Sequence, residues 1–433
     1  MATSAELKQN ILNGGYDQAF AKLYGADTAT VAAQRVRYVD MIDHFEENFG
    51  TGRTVCLYSA PGRTEIGGNH TDHNNGVVIA AAVNLDIIAV VAKNDENVVR
   101  VISHGFGKID DVNLRDLTPQ PVEAEHSASL IRGVAAGIVK DGGKVGGFDC
   151  YTTSAVLGGS GLSSSAAFEV CMGAIFRGEY NDNDMKRFDQ VKNAMISQYA
   201  ENVFFGKPCG LMDQTACAVG KVITIDFKEV GHPVVREVPF DLAAKGFALC
   251  ISDTKGSHAD LTDDYVSIPA EMNLVAAQFG KNHLREVSEQ DFLAALPTLR
   301  TSCSDRAIIR AAHFYGDNRR ASEEAAALSE NDFARFLELV KESGDSSAKW
   351  LQNLYSCRKP SEQGITLGLW MSEQILGGKG ASRVHGGGFA GTIQAFVPKE
   401  MEEQYCAKMD ALFGSGSCQK LRIRTVGGVQ VIA

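Results

Sequence analysis

Leu157 to Val170 read LGGSGLSSSAAFEV, and how this stretch is read decides what kind of chain surrounds it. Gly158, Gly159 and Gly161 open backbone conformations closed to other residues, and Ser163, Ser164 and Ser165 stand where a helix would begin. The longer segment Gly147–Phe176 reads as a strand, a Gly/Ser loop and a helix. A helix that starts on such a loop offers unpaired N–H groups and the positive end of its dipole, which together attract an anion. Taken alone, a Gly/Ser cluster is more often a flexible turn with a serine cap. It is not a Walker A loop, because no Gly-Lys-Ser/Thr follows.

Two further stretches bear on the choice. Ser382–Val397, SRVHGGGFAGTIQAFV, is a second glycine cluster that runs into a predicted strand, and two glycine-rich backbones converging on one polyphosphate account for both. Pro61–Gly76, PGRTEIGGNHTDHNNG, gathers Arg63, Glu65, Asn69, His70, Asp72 and His73 on a pliable backbone. It admits three readings: a solvated loop, a metal site on His70, Asp72 and His73, or a pocket for the hydroxyls of a small polar ligand. In an extended chain His70 and Asp72 face opposite to His73, which disfavours the metal.

The bulk numbers limit the partners. A chain of 433 residues exceeds what one core serves, and 44% hydrophobic with 22% charged residues is the balance of an ordinary globular protein. A net charge of -11 gives no support to a basic footprint for nucleic acid, so any phosphate binding is local. The start MATSAELKQNILNGG has no basic segment followed by an apolar run, and no stretch suits a membrane span, so a cytoplasmic location is expected. Ten scattered cysteines without a CxxC pair read as reduced thiols.

Residues 5–48 read as helix-rich, with a Ser cap signal opening SAELKQNIL; later strands and helices alternate through KVITIDF, GFALCISD, DFARFLELVKESG, SEQGITLGLWMSEQIL, GTIQAFV and KLRIRTV. The class is mixed α and β, with a domain boundary near residue 220.

With these motifs in place the chain resembles a known family. GGSGLSSSAA is similar to the phosphate-binding motif of the GHMP small-molecule kinases, HGGGFAGT to their C-terminal motif, and PGRTEIGGNHTDHNNG to the signature of the galactokinases among them. Ala200–Gly220, AENVFFGKPCGLMDQTACAVG, resembles the galactokinase segment that carries the catalytic aspartate. The likeness runs from about Ala60 to about Val397. Leu157 replaces the usual proline before the loop, and His73 the usual tyrosine.

The resemblance implies an α+β, two-domain fold, residues 1–220 and 221–433, with the active site in the interdomain cleft. It implies ATP and Mg2+, a small-molecule sugar partner, no nucleic acid, no membrane, and a monomer or weak homo-oligomer. Asp213 matches the family's proposed base, and Arg63 the arginine beside the base and the transferring phosphate. Gly159, Ser160, Gly161, Leu162, Ser163, Ser164, Ser165 and Ala166 match the phosphate loop, with Ser165 and Glu201 at the metal positions. Asn69, His70, Asp72, Gly210 and Tyr265 fall on the sugar side, although the arginine-rich continuation after the family's tyrosine is missing here. Asn69 stands where galactokinases carry a glutamate that accepts from the sugar's C6 hydroxyl. The amide either accepts from the same hydroxyl or admits a C6 carboxylate or acetyl group. The expected activity is phosphorylation of galactose at its anomeric C1 hydroxyl. The alternatives are a kinase for a C6-modified sugar such as galacturonate, an amino sugar or a cyclitol, and a non-catalytic sugar sensor on the same scaffold.

Overall fold

The computed structural model describes residues 2–106, 109–156, 161–207, 209–229, 231–256 and 261–432. Leu157, Gly158, Gly159, Ser160 and His258 lie outside the described residues.

Two strands set the frame. Cys56–Gly67 and Val77–Lys93, of 12 and 17 residues, pair antiparallel along most of their length. The second, VVIAAAVNLDIIAVVAK, is a near-continuous run of apolar residues, as expected of a strand covered on both faces. Because side chains alternate along a strand, neighbours serve different cores. Tyr58, Ala60, Ala89 and Val91 pack in the core shared with helices Ser127–Lys140 and Ser164–Tyr180. Leu57, Ile88, Val90 and Ala92 pack with the N-terminal helices Ser4–Leu12, Asp17–Tyr24 and Thr28–Phe49.

The sheet has eight strands. Its order runs Val429–Ile432, Cys56–Gly67, Val77–Lys93, Phe148–Ser154, Val98–Ser103, Ile109–Asn113, and Val222–Asp226 with Val234–Glu237 branch from the start of Val77–Lys93. Phe148–Ser154 and Val98–Ser103 run parallel. Asp86 interrupts the apolar run and is fully buried. It accepts hydrogen bonds from Arg37 at 2.7 Å, Arg424 at 2.9 Å and Tyr24 at 2.6 Å. Burial pushes its carboxyl up, but the two guanidinium charges and the hydroxyls more than reverse this and hold it below its ordinary range. Removing one partner from such a buried pair costs about 3–5 kcal/mol, so this knot pins the helix Thr28–Phe49 and the C-terminal segment to the sheet.

A second sheet of four antiparallel strands has the order Cys418–Leu421, Phe247–Asp253, Thr392–Pro398, Ala381–Val384. Leu249, Ile251 and Phe396 pack with Phe336 and Leu339 of the helix Phe333–Ser346. Cys250, Ile393, Ala395 and Val397 pack with helices Gly364–Leu376 and Glu402–Phe413.

The mixed α+β class agrees with the sequence reading, but the boundary at residue 220 is corrected. Val222–Asp226, Val234–Glu237 and Val429–Ile432 all belong to the first sheet, because the apolar start of Val77–Lys93 and the exposed edge of Cys56–Gly67 need them as partners. The first helix is capped by Thr3, through a capping box with Glu6, whereas Ser4 is already helical and buried.

Candidate active site

The strand Cys56–Gly67 delivers Arg63 to the loop before the helix Ser164–Tyr180. Gly62 makes the approach possible, since a Cβ there would sit 2.7 Å from the Leu162 carbonyl oxygen and 3.1 Å from Val156. The Arg63 backbone N–H donates to that Leu162 carbonyl at 3.0 Å. Its guanidinium donates from Nε to Asp213 at 2.8 Å and from a terminal nitrogen to the Gly161 carbonyl. Pro61–Gly67 is therefore buried strand and not a solvated loop.

Ser163 is the residue before the helix, and it adopts a left-handed conformation with φ of 59°. Its hydroxyl does not cap the helix but donates to the second oxygen of Asp213. With no side-chain cap, the first-turn N–H groups remain available to an anion. Ala166 contributes only backbone to this turn, because its methyl group is in the core. Asp213 lies in the first turn of the helix Met212–Val219. Burial pushes its carboxyl up, but the Arg63 charge, the hydrogen bonds from Arg63 and Ser163, and the Lys207 charge bring it below the ordinary range. The Arg63 side chain is 7% exposed and that of Asp213 35%, so the carboxylate remains open to a reactant.

The second glycine cluster closes on the same place. A Cβ on Gly161 would lie 2.8 Å from Thr392 Oγ1 and 3.0 Å from His385 Nδ1. The Glu65 backbone N–H donates to His385 Nε2 at 3.3 Å, so the ring proton sits on Nδ1 and is donated to Thr392 at 3.0 Å. His385, Thr392 and Glu65 carry no mark in the sequence that would have assigned them this docking role.

Below the loop, Glu201 sits in a π-turn, Ala200–Phe205, and is 3% exposed. One oxygen faces the Ser165 hydroxyl and Lys207, each at 3.4 Å; the other accepts from Gln214 at 2.7 Å and from the Cys209 thiol at 3.2 Å. Glu169, wholly buried, accepts from the same Gln214 amide at 3.2 Å, and its other oxygen has no partner. A hydroxyl and two carboxylates, one with an oxygen left over, are the hard donors that magnesium takes, so these residues fit the ion. Sequence reading missed Glu169, Gln214 and Lys207. The charges of Glu169 and Lys207 resemble those of any helix or loop, and only the fold brings them to Glu201.

On the opposite side, Asp72 packs against Gly210, where any side chain would collide with its carboxylate. Burial, then the charges of Glu65 and Asp213, push the Asp72 carboxyl up to about 6. A cavity of about 510 Å³ opens here, with Asp72, His73, Gln198, Cys209, Gly210 and Leu211 in its wall. His70 and His73 face each other across a short helical turn, not along an extended chain. His70 donates from Nε2 to the Gly387 carbonyl at 2.9 Å, so its Nδ1 accepts from His73 at 3.1 Å. Both rings are neutral, burial pushing His70 down to about 4 and His73 well below its ordinary value. Hydrogen-bonded to each other, they do not combine with Asp72 as metal ligands. Tyr265 is half-buried, its hydroxyl donating to the Gly388 carbonyl at 3.0 Å and its ring lying against Gly387.

Asn69 requires a correction. It is fully buried; its amide nitrogen donates to Glu65 and to the Gly386 carbonyl, both at 2.8 Å, and its oxygen accepts from Asn353 at 2.9 Å and Ser347 at 3.2 Å. Glu65 in turn pairs with Arg383 at 2.8 Å. The Asn69 amide has no free donor or acceptor for a sugar's C6 group. It is a clamp between the signature and the C-terminal motif. Gly159 and Ser160 lie outside the described residues.

The chain is similar to known proteins over most of its length. The galactokinase galactose-binding signature matches residues 43–93, and the GHMP kinases N terminal domain matches residues 129–221. The galactokinase of Glaesserella parasuis serovar 5 is 31% identical over 363 residues, covering 83% of this chain and 89% of that protein. That of Actinobacillus pleuropneumoniae is 32% identical over 365 residues, with the same shares. The crystal structure of Lactococcus lactis galactokinase complexed with galactose has a similar fold, with a TM-score of 0.77 at 22% identity over 91% of this chain and 100% of that one.

Proposed function

The chain belongs to the galactokinase family of the GHMP kinases and is an ATP-dependent sugar kinase of that type, and from this premise we propose that it phosphorylates galactose at the anomeric hydroxyl. The observation that carries the reading is Asp213, ionised and partly open, held between Arg63 and Ser163 beside the bare helix start.

Asp213 takes the proton of the anomeric hydroxyl as that oxygen attacks the γ-phosphorus of ATP, the bond to ADP breaking on the far side. Arg63 keeps the base ionised and sets a fixed positive charge beside the transferring phosphoryl group. Ser163 fixes the orientation of the Asp213 carboxylate. The first-turn N–H groups of Ser164, Ser165 and Ala166 hold phosphate oxygens. Ser165 and Glu201, with Glu169 behind them, would hold magnesium, which would supply positive charge against the phosphates. Asp72 accepts from vicinal hydroxyls of the sugar, which rejects acceptors lacking them. The burial of Asn69 removes the argument for a C6-modified acceptor.

The test is ADP release across galactose, galacturonate, galactosamine and a cyclitol, with phosphorus NMR of the product. Galactose is expected to give the highest kcat/KM and a 1-phosphate. A better acceptor in the panel overturns the substrate, and phosphate on another hydroxyl overturns the assigned roles.

A further inference from the structure

Sharing none of these residues, three cysteines meet in the second sheet's core. Cys250 lies on the strand Phe247–Asp253, Cys418 on the neighbouring strand Cys418–Leu421, and Cys406 on the helix Glu402–Phe413 that covers them. All ten cysteines are free thiols. These three sulfurs lie within 4.8 Å of one another, with Cys406 and Cys418 at 3.4 Å. Among the described residues no other group of three metal-ligating side chains is this close. Cys250 is 0% exposed, while Cys406 and Cys418 at 8% and 9% lie near the rim, which leaves an entry path.

The geometry suits a thiophilic ion. Three sulfurs about 2.3 Å from a common centre form a triangle with edges of about 4 Å, so small side-chain adjustments complete it. The surrounding elements hold the thiols together: Asp410, one helical turn after Cys406, accepts the Cys418 N–H at 2.8 Å, and Lys420 pairs with Glu402 and Glu403 of the same helix. Ser252, wholly buried, stands opposite Cys418 in the ladder, its hydroxyl between the Cys418 thiol and the Tyr405 hydroxyl. Ile365, Val384, Ile393 and Met409 belong to the same core, with Tyr405, whose hydroxyl pairs with that of Ser372 at 2.9 Å. No imidazole or carboxylate joins the group, a donor set that selects soft ions over magnesium or calcium.

We propose that Cys250, Cys406 and Cys418 form a three-thiolate site for a soft, filled-shell metal ion, with monovalent copper as the best fit. Three sulfurs satisfy copper in this state, whereas structural zinc is almost always four-coordinate and would require Ser252 or a water. Each thiol that binds releases its proton to solvent, and no electron is transferred. The ion cross-links two strands and the helix over them, so it acts on stability and not on phosphoryl transfer.

The experiment is an anaerobic titration of the reduced full-length protein with monovalent copper against a chromogenic copper chelator, and in parallel with zinc. The native protein is expected to retain a single copper per chain after desalting. Cys406→Ser and Cys418→Ser are each expected to lose at least tenfold in affinity, whereas Cys303→Ser and Cys357→Ser retain it. X-ray absorption at the copper edge of the native protein does not depend on any variant folding, and is expected to show three sulfur neighbours. No retained copper, tighter retention of zinc, nitrogen or oxygen neighbours, or a Cys406–Cys418 disulfide in place of the ion overturns the proposal.

Discussion

Asp213 and Asp72 are neighbouring carboxylates, each desolvated by its surroundings, yet they end in opposite states. Around Asp213 the fold places Arg63 and Ser163, which stabilise the charge more than burial destabilises it. Around Asp72 it places glycine backbone and two further acids, Glu65 and Asp213, so burial prevails and the group titrates near 6. In the proposed roles, the base Asp213 is thus held in one protonation state, and Asp72 on the sugar side is adjustable. Two carboxyls driven apart in this way mark a division of labour that residue type alone does not reveal.

Asp213→Asn keeps the shape of the side chain and removes the proton acceptor. Turnover is expected to fall by about a hundredfold or more while the sugar KM changes little. Steady-state kinetics with galactose check this, and near-normal turnover would remove the base from the mechanism.

Next in size is the metal side. Glu201→Gln is expected to raise the magnesium concentration for half-maximal rate on the order of tenfold, with a smaller rise for Ser165→Ala and an unchanged sugar KM in both. A collapse of sugar affinity with an unchanged magnesium titration would show that these residues serve the acceptor instead.

The adjustable side predicts a pH effect. Asp72 accepts from two hydroxyls only when ionised, so below about 6 a growing fraction of enzyme carries the wrong form. The sugar KM is expected to rise as pH falls through that value, by up to about tenfold per unit, while kcat, governed by the more acidic Asp213, stays flat there. Asp72→Asn should raise KM at every pH and abolish the slope. A slope that survives the substitution belongs to another group.

Ser163→Ala removes one hydrogen bond to Asp213, worth about 1 kcal/mol, so kcat should drop by roughly fivefold. Its acidic limb should also move to higher pH, because that hydrogen bond lowers the Asp213 carboxyl. A loss of activity without any shift of the limb would make Ser163 a phosphate contact only.

The loop and helix at Ser163–Tyr180 were legible in the sequence because glycine, serine and a run of alanine and apolar residues each argue locally for the same structure. Pro61–Gly67 was not legible as buried strand. Its Arg63, Thr64 and Glu65 look solvated until Asp213, His385 and Arg383, more than a hundred residues away in sequence, supply their partners. The 25-residue helix Asp305–Ser329 escaped for the same reason. It buries His313, Asp317, Arg320 and Glu324 along with its apolar residues, which blurs the amphipathic stripe. Asn69 shows the limit of carrying a role across by motif position. The position matches, but His313, Asn353 and Ser347 enclose the residue and leave its amide no ligand to meet.

The pairing of Val429–Ile432 with Leu57, Tyr58 and Ser59 has a consequence for how the protein is made. Roughly 360 residues separate Gly67 from Val429, and a ribosome adding about 5–20 residues per second needs on the order of twenty to seventy seconds to cover that span. Throughout that interval the strand that carries Arg63 presents an open edge, and Asp86 lacks Arg424. The nascent chain therefore cannot finish its first sheet as it emerges; the strand that carries Arg63 waits, half-paired, until Val429–Ile432 is synthesised.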